Sequence, residues 1–466
     1  MLRRPIRTIT AVIALSLVGS LASAQAAAFD LDKTKTVLTR MIERSLKERG
    51  VPSVSIALVK GDSIVWKAAF GYANVRTRTP ATTETLYSTG STFKAATATA
   101  LLQLEEKGKL ALDHPVNRYL GDAQVKDRLQ VEKPVTFTHI LSHWSGLTAG
   151  AVTKPIWGRE LPKTLESMVS GLYSIRAPET KWEYNNFAYG MAGLLVEKIS
   201  GTDYETYMLA NVLKPLGITT PHPVAPSPEM VELMALPYMP GGANGPPRPV
   251  AQVHFDVFPA GDIYLTAEEM ARFLGAHLNG GTFQGARILT AESVKKAHEP
   301  RFGGTYGFGW AVRKDATGHT IISHTGGIPG QSSNMVGDVD ARVGVYYMSN
   351  SGAPAEIADA AIALLRGEDY TPLAERKGVA VDQKVLDSYV GVYDVTPEIA
   401  LTITRDGANL FMQPGPQPRA QLLALSSVKF IGEGITLTFA RSAGGVVETV
   451  LVEPGGGPTL TGTRRK

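Results

Sequence analysis

The chain has 466 residues, 44% of them hydrophobic and 19% charged, a net charge of +4 and no cysteine. Length and apolar content suffice for two folded units. The missing thiols exclude disulfides, thiolate metal sites and a lipid-modified cysteine anchor, and so small a charge gives no footing for nucleic acid or a membrane surface.

Arg3, Arg4 and Arg7 precede an apolar run over residues 9–21, and Ala22-Ser23-Ala24 offers a small-residue cleavage site. The run is too short to span a bilayer, so residues 1–24 are expected to be a secretory signal peptide. Its removal takes three positive charges and leaves +1. The mature protein is expected in the periplasm or outside the cell, with no membrane anchor.

Residues 31–49 read as a charged amphipathic helix. Residues 54–59 read as a strand, Gly61-Asp62-Ser63 as a turn and residues 64–72 as the hairpin partner. From Ser91 to about Leu278 the signals are mostly helical, broken by a Pro- and Gly-dense stretch at 237–249 that predicts an irregular surface loop. Strand signals return at 306–313, 320–324 and 342–348, and a helix follows at about 355–365. Strands from both ends of this region with helices between them predict an α+β unit over residues 25–366, one antiparallel sheet flanked by helices. Residues 367–383, polar and containing Pro372, read as a linker. Residues 384–466 alternate in short segments between Gly and Pro turns and predict a small all-β unit, sandwich or barrel.

The chemistry concentrates at Ser91-Thr92-Phe93-Lys94, after Gly90. Serine and lysine three positions apart share a helix face, and a serine in the first turn lies beside main-chain N–H groups that lack intrahelical partners. Nucleophile, cation and anion-stabilising helix end then converge. The same spacing recurs at Ser293/Lys296 and Ser426/Lys429, so context must separate them. Phe93, Ala96, Ala100, Leu101 and Leu104 recur with helical spacing, and Lys107-Gly108 supplies a stop. Ser293 reads as surface at a short helix start, and Ser426 lies in the strand-rich tail. A capped core helix is the plain alternative at Ser91.

Two further elements follow in order. Tyr184-Asn185-Asn186 precedes a helical run over 187–199, and His324-Thr325-Gly326-Gly327 closes a strand that begins near Thr320. Ser-x-x-Lys, then Tyr-x-Asn, then a basic residue before Thr-Gly resembles the three-part signature of the penicillin-recognising serine hydrolases, in the class C β-lactamase and DD-peptidase branch. Supporting pieces stand in order as Thr138-His139-Ile140-Leu141-Ser142-His143-Trp144-Ser145-Gly146-Leu147, Pro259-Ala260-Gly261 and Tyr306-Gly307-Phe308-Gly309-Trp310. The resemblance covers about residues 35–365. Ser388-Tyr389-Val390-Gly391-Val392-Tyr393 resembles the opening of a lipocalin-like appendage carried by members of that superfamily.

The resemblance implies roles. Ser91 would be the nucleophile, with Lys94 and Tyr184 around its hydroxyl as the other catalytic residues. Tyrosine is a poor base at its free pKa, so a nearby ammonium would have to favour the phenolate; Lys94 is the candidate, and the choice of base between Lys94 and Tyr184 stays open. Asn186 would position the substrate amide and hold Lys94. The oxyanion would sit between the N–H groups of Ser91 and Gly327. Thr325, Gly326 and Gly327 would line the bound substrate, Gly326 and Gly327 allowing close approach. His324 stands where the β-lactamase pattern has lysine, and would meet a substrate carboxylate as an imidazolium, weakening as pH rises through about 6.5.

His139 and His143, four apart, could face one metal, but no glutamate follows His139 as a metalloprotease motif requires; they read as hydrogen-bonded helix residues behind the site. No cofactor and no metal is expected. The partner is a small-molecule or peptide substrate: a D-residue peptide, a β-lactam or a small ester. A carboxylesterase of the same fold, or an idle penicillin-binding or peptidoglycan-sensing protein, are the rivals. Acyl-group preference and oligomeric state are not legible in the sequence.

Overall fold

The computed structural model describes residues 28–130, 132–148, 155–157, 164–219, 227–241, 245–353, 356–395, 400–415, 419–432, 434–442, 445–454 and 459–465. The signal-peptide expectation lies outside the described residues.

Seven strands form the main sheet: β1 (Ser53–Lys60), β2 (Ser63–Asn74), β3 (Thr79–Pro80), β4 (Ala311–Lys314), β5 (Thr320–Ile328), β6 (Gln331–Asp338) and β7 (Val343–Ser349). Their spatial order is β4-β5-β6-β7-β1-β2-β3. The pairings are antiparallel, and β1 and β7 join the two ends of the region with Val54 opposite Ser349. Side chains alternate between two cores. Val54, Ile56, Leu58, Val343, Val345 and Tyr347 meet helices α1 (Leu31–Arg49) and, near the region's end, Glu356–Leu365 on one face. Ala57, Val59, Tyr346 and Met348 face the larger core on the other. That core holds helices α2 (Lys94–Glu106), α3 (Phe137–Leu141), α4 (Asn186–Ser200), α5 (Ala267–Leu278) and α6 (Ala291–Ala297); Glu356–Leu365 is α7.

The α+β reading with a β-rich tail therefore holds, with corrections. The predicted strand at 306–313 shrinks to β4, because residues 306–310 turn back on themselves through Gly307 N–H to Trp310 O. Strand β6 was not predicted. Its sequence, Gln-Ser-Ser-Asn-Met-Val-Gly-Asp, looks like a loop, but its polar side chains find partners inside the fold: Asn334 donates to the Tyr347 hydroxyl (2.8 Å), although its Oδ1 is left without a partner, Ser333 donates to the Thr89 carbonyl (2.5 Å), and Gln331 accepts from the Ser88 N–H (2.7 Å). The 237–249 stretch is not wholly irregular; Tyr238–Met239 pairs with Arg248–Pro249. Helix α2 carries no narrow apolar stripe, since Lys94 to Leu104 are all buried and it runs through the core.

The tail is a closed barrel of eight strands, β8 (Gly391–Asp394), β9 (Ala400–Asp406), β10 (Asn409–Pro414), β11 (Ala420–Ala424), β12 (Lys429–Gly432), β13 (Ile435–Arg441), β14 (Val447–Pro454) and β15 (Leu460–Arg464), which settles the sandwich-or-barrel alternative. Helix α8 (Gln383–Tyr389) contributes Leu386 and Tyr389 to its core. The linker is not free chain. It contains a 3₁₀ turn at Leu373–Glu375, and Glu375 pairs with Arg40 (3.2 Å) and Arg44 (3.4 Å) of α1.

Candidate active site

Ser91 lies in a 3₁₀ turn, Gly90–Phe93, that leads into α2, rather than in the first α-helical turn. The tighter turn leaves the shared face intact: Lys94 Nζ donates to Ser91 Oγ at 2.9 Å. Lys94 is completely buried, 0% exposed. Its other bond runs to the Ala260 carbonyl at 2.8 Å, and Thr97, one turn on, donates to the Pro259 carbonyl at 2.7 Å. The Pro259-Ala260-Gly261 motif thus acts through its main chain, as the cradle of Lys94. Burial pushes the Lys94 ammonium well below the usual lysine range. The expected hold of Asn186 on Lys94 is replaced by the Ala260 carbonyl; Asn186 opens α4, half-buried.

The Tyr184 ring lies 4.9 Å from Lys94 Nζ. Its hydroxyl is pushed above the ordinary phenol range by burial, an effect opposed by its hydrogen bond with Ser91. Burial thus shifts the two groups in opposite directions, Lys94 toward its neutral amine and Tyr184 toward its neutral phenol, which runs against a Tyr184 phenolate. Between the two motif residues, Asn185 caps α4 by accepting the Ala188 N–H (3.1 Å) and donates to the Thr148 carbonyl (3.2 Å). Sequence reading passed over Asn185, although an asparagine before a helical run is a cap signal.

Strand β5 forms the opposite wall. Strand β4 pairs only with Thr320–Ser323, so the β5 edge from His324 onward is open among the described residues. Thr325 and Gly327 are exposed there while His324 and Gly326 turn inward. A Cβ on Gly326 would lie 2.3 Å from the Thr89 carbonyl oxygen and 3.1 Å from Ser91 N, so only glycine lets the strand come this close. Gly327 N lies 2.7 Å from the place of a Gly90 Cβ, beside the nucleophile turn. Gly261, at φ +142°, also presses on this turn: a Cβ there would lie 2.0 Å from the Gly90 carbonyl oxygen and 2.8 Å from Ser91 N. Both expected oxyanion donors are therefore adjacent.

His324 does not match its expected role. Its ring is buried, and both nitrogens are engaged: Nδ1 donates to the Thr325 carbonyl at 2.7 Å and Nε2 accepts from the Tyr306 hydroxyl at 2.7 Å. Burial above all pulls it down to about 3, and whatever charge Lys94 carries acts in the same direction. A neutral, saturated imidazole offers no cation to a carboxylate. The Thr325 carbonyl, which can only accept, fixes this tautomer, and Tyr306, expected only as part of a supporting motif, fills the remaining nitrogen.

The histidine pair is also corrected. His139 sits in α3 as a capping-box residue and meets Glu179 (2.8 Å), but His143 lies beyond the helix at φ +66° and shares no helical face with it. Ser293 is buried rather than on the surface, and Lys296 pairs with Glu105; Ser426 caps the turn between β11 and β12.

A family model described as Beta-lactamase matches residues 38–368. Penicillin-binding protein 4* of Bacillus subtilis is 25% identical over 410 residues, 81% of this chain and 87% of that protein. Esterase EstB of Burkholderia gladioli is 29% identical over 49% of this chain and 60% of its own length. Among solved structures, the octameric penicillin-binding protein homologue from Pyrococcus abyssi superposes with a TM-score of 0.63 at 24% identity, covering 93% of this chain and all of that one. The D-amino acid amidase from Ochrobactrum anthropi gives 0.56 at 23% identity over 72% of this chain and 97% of its own. A match spanning the nucleophile turn, the tyrosine loop and the β5 edge shows that this chain belongs to the β-lactamase family.

Proposed function

We propose that this protein is an exported serine hydrolase that forms an acyl-enzyme on Ser91 with amide or ester substrates whose group beside β5 is uncharged. One observation carries the reading: a fully buried Lys94, driven toward its neutral form, 2.9 Å from the Ser91 hydroxyl. A neutral amine at that distance can take the serine proton as Oγ attacks the acyl carbon. The oxyanion then develops between the N–H groups of Ser91 and Gly327. As the tetrahedral adduct collapses, the lysine proton returns through the Tyr184 hydroxyl to the departing amine or alcohol. Water enters by the same route in reverse, releases the acid and restores Ser91.

The preference for an uncharged donor follows from His324, which is neutral and saturated, so a substrate carboxylate finds no cation there. An esterase and a D-amino acid amidase among the similar proteins support this direction. Penicillin-binding relatives keep β-lactams and D-alanyl peptides in the comparison. Export rests on the basic, apolar, small-residue order of residues 1–24. The test is side-by-side turnover of a p-nitrophenyl ester, a D-amino acid amide, a D-alanyl-D-alanine peptide and a chromogenic cephalosporin. The neutral ester and amide are expected to be turned over with the higher kcat/KM. A clear lead for the two carboxylate-bearing substrates would overturn the substrate reading, and silence toward all four together with no labelling of Ser91 would overturn the hydrolase reading.

A further inference from the structure

His143 stands two residues beyond α3 in a left-handed conformation, φ +66°, uncommon for a residue with a side chain. From there it grips the Tyr184 loop three times. Its carbonyl accepts the Glu183 N–H at 2.9 Å. Its Nδ1 accepts the Asn185 N–H at 3.0 Å. Its ring lies against the Tyr184 ring, with centroids 4.3 Å apart. The residues immediately before and after Tyr184 are thus bonded to one side chain and its own carbonyl, and the tyrosine ring rests on the imidazole between them. A nitrogen that accepts from a main-chain N–H carries no hydrogen, so the neutral ring bears its proton on Nε2. Burial holds His143 well below the usual histidine range. Nε2 is buried among the rings of Tyr184, Tyr189 and Tyr306 and has no hydrogen-bond partner among the described residues. A strained backbone and an unsatisfied donor at one residue mark a place where the fold gives up local stability for geometry.

We propose that His143 is the positioning residue of Tyr184: it fixes the height and tilt of the phenol that hands a proton to the leaving group. This rests on the role given to Tyr184 above. The role makes a specific demand on the kinetics. An amide leaves only when its nitrogen is protonated, whereas p-nitrophenolate leaves as an anion and needs no proton. A misplaced Tyr184 therefore harms amide acylation and spares the activated ester.

The test compares kcat/KM for a p-nitrophenyl ester and an amide of the same acyl group in wild type, His143→Phe, His143→Asn and Tyr184→Phe. Phenylalanine keeps a flat ring and removes the acceptor for the Asn185 N–H. Asparagine tolerates positive φ and supplies an acceptor but removes the ring. His143→Phe is expected to lose about 10- to 100-fold on the amide and stay within about threefold on the ester, the scale of a small misplacement of a reacting group. His143→Asn should show the same split at smaller size, and Tyr184→Phe at larger size. Equal losses on both substrates in either His143 variant, or wild-type amide acylation in both, would overturn the proposal. If Tyr184→Phe itself shows no split, the proton-transfer reading fails instead, and the two failures are told apart. Should His143→Phe fail to fold, His143→Asn decides by the same ratio.

Discussion

In the barrel, Tyr389 and Tyr393 are the polar side chains of an otherwise apolar core, and each hydroxyl donates to a main-chain carbonyl, of Ser427 at 2.7 Å and Tyr389 at 2.9 Å. Among its described residues no charged or amide side chain is buried. Around Ser91 the fold does the reverse. It buries Lys94 completely, holds two neutral histidines beside it, leaves His143 Nε2 unpaired, and presses glycines together until no Cβ fits. Both regions are antiparallel β-structure with a helix against it, so architecture does not separate them. The difference lies in unrelieved desolvation: where burial is uncompensated, the protonation states it enforces are what the chemistry uses.

The comparison breaks most visibly at the nucleophile. Ser91→Ala should fold and lose at least about four powers of ten in kcat/KM, because no acyl-enzyme can form. Ser426→Ala, in the barrel turn, should match wild type. Ser293→Ala removes a buried hydroxyl that accepts from Thr290 Oγ1 at 3.1 Å, so it should cost about 1 kcal/mol of stability and no activity. Substrate turnover and thermal melting of the three variants check this, and undiminished turnover by Ser91→Ala would end the mechanism.

Lys94→Met comes next. Methionine fills a similar volume without a buried amine, so stability should hold or rise while kcat/KM falls about 10³-fold, the range of a lost general base. In wild type, kcat/KM should climb as pH rises and Lys94 loses its proton, level off well short of the ordinary lysine value near 10.5, and show no descending limb from Tyr184, which stays protonated. A step near 6.5 confined to carboxylate substrates would restore the cationic reading of His324.

The motif residues were legible because their spacing is set by local geometry: three residues for one helix face, a tyrosine and an asparagine just ahead of a helical run, glycines where a strand meets a turn. Their partners stood in supporting motifs, His143 read as a hydrogen-bonded residue behind the site, but what each of them does was not legible. Ala260 serves through a carbonyl that any residue has, and Tyr306 and His143 reach the site from sequence positions that carry no periodic signal. Strand β6 escaped for a related reason, since Ser333 and the amide nitrogen of Asn334 bond to tertiary partners that composition does not show. His324 misled because its pKa depends on burial and on Lys94, neither of which the sequence displays.

Acid sharpens the comparison on the scale of whole regions. All nine histidines lie before the linker. His277 and His298 are buried against each other (3.2 Å) and held neutral by burial, His298 down to about 3. In the unfolded chain they titrate near about 6.5. Between those values the unfolded state binds more protons, so stability of the hydrolase region rises with pH and is lost as pH falls from about 6.5 toward 3. Residues 384–466 contain no histidine and escape this term. All five tryptophans also precede the linker, so tryptophan emission follows that region alone. Lowering pH should shift the emission while part of the β-sheet circular dichroism persists. One coincident transition by both probes would mean that the two regions unfold as one.

The smallest expected effect locates the seam between the regions. A stop after Gly367 and a stop after Gly378 both remove the barrel, but only the second keeps the segment that folds back on the hydrolase region. Within it, Asp369 pairs with Lys33 and Glu375 with Arg40 and Arg44, Tyr370 packs against the α1 and α7 core, and its hydroxyl donates to Glu356 at 3.1 Å. From Val379 the main chain bonds to the barrel instead, its N–H to the Ala424 carbonyl at 3.0 Å. The two Glu375 pairs contribute about 0.2–1 kcal/mol each, the partial burial of one tyrosine about 1 kcal/mol more, and the fully exposed Asp369 pair is left out of the sum. The shorter protein should therefore be less stable than the longer by about 1–3 kcal/mol, with a lower Tm, while both react with a serine-directed probe at Ser91. Equal Tm values would move the seam back to Gly367. A longer protein that is insoluble or unreactive would show that the barrel is needed for the site, and the contrast between a strained hydrolase region and an independent barrel would fail with it.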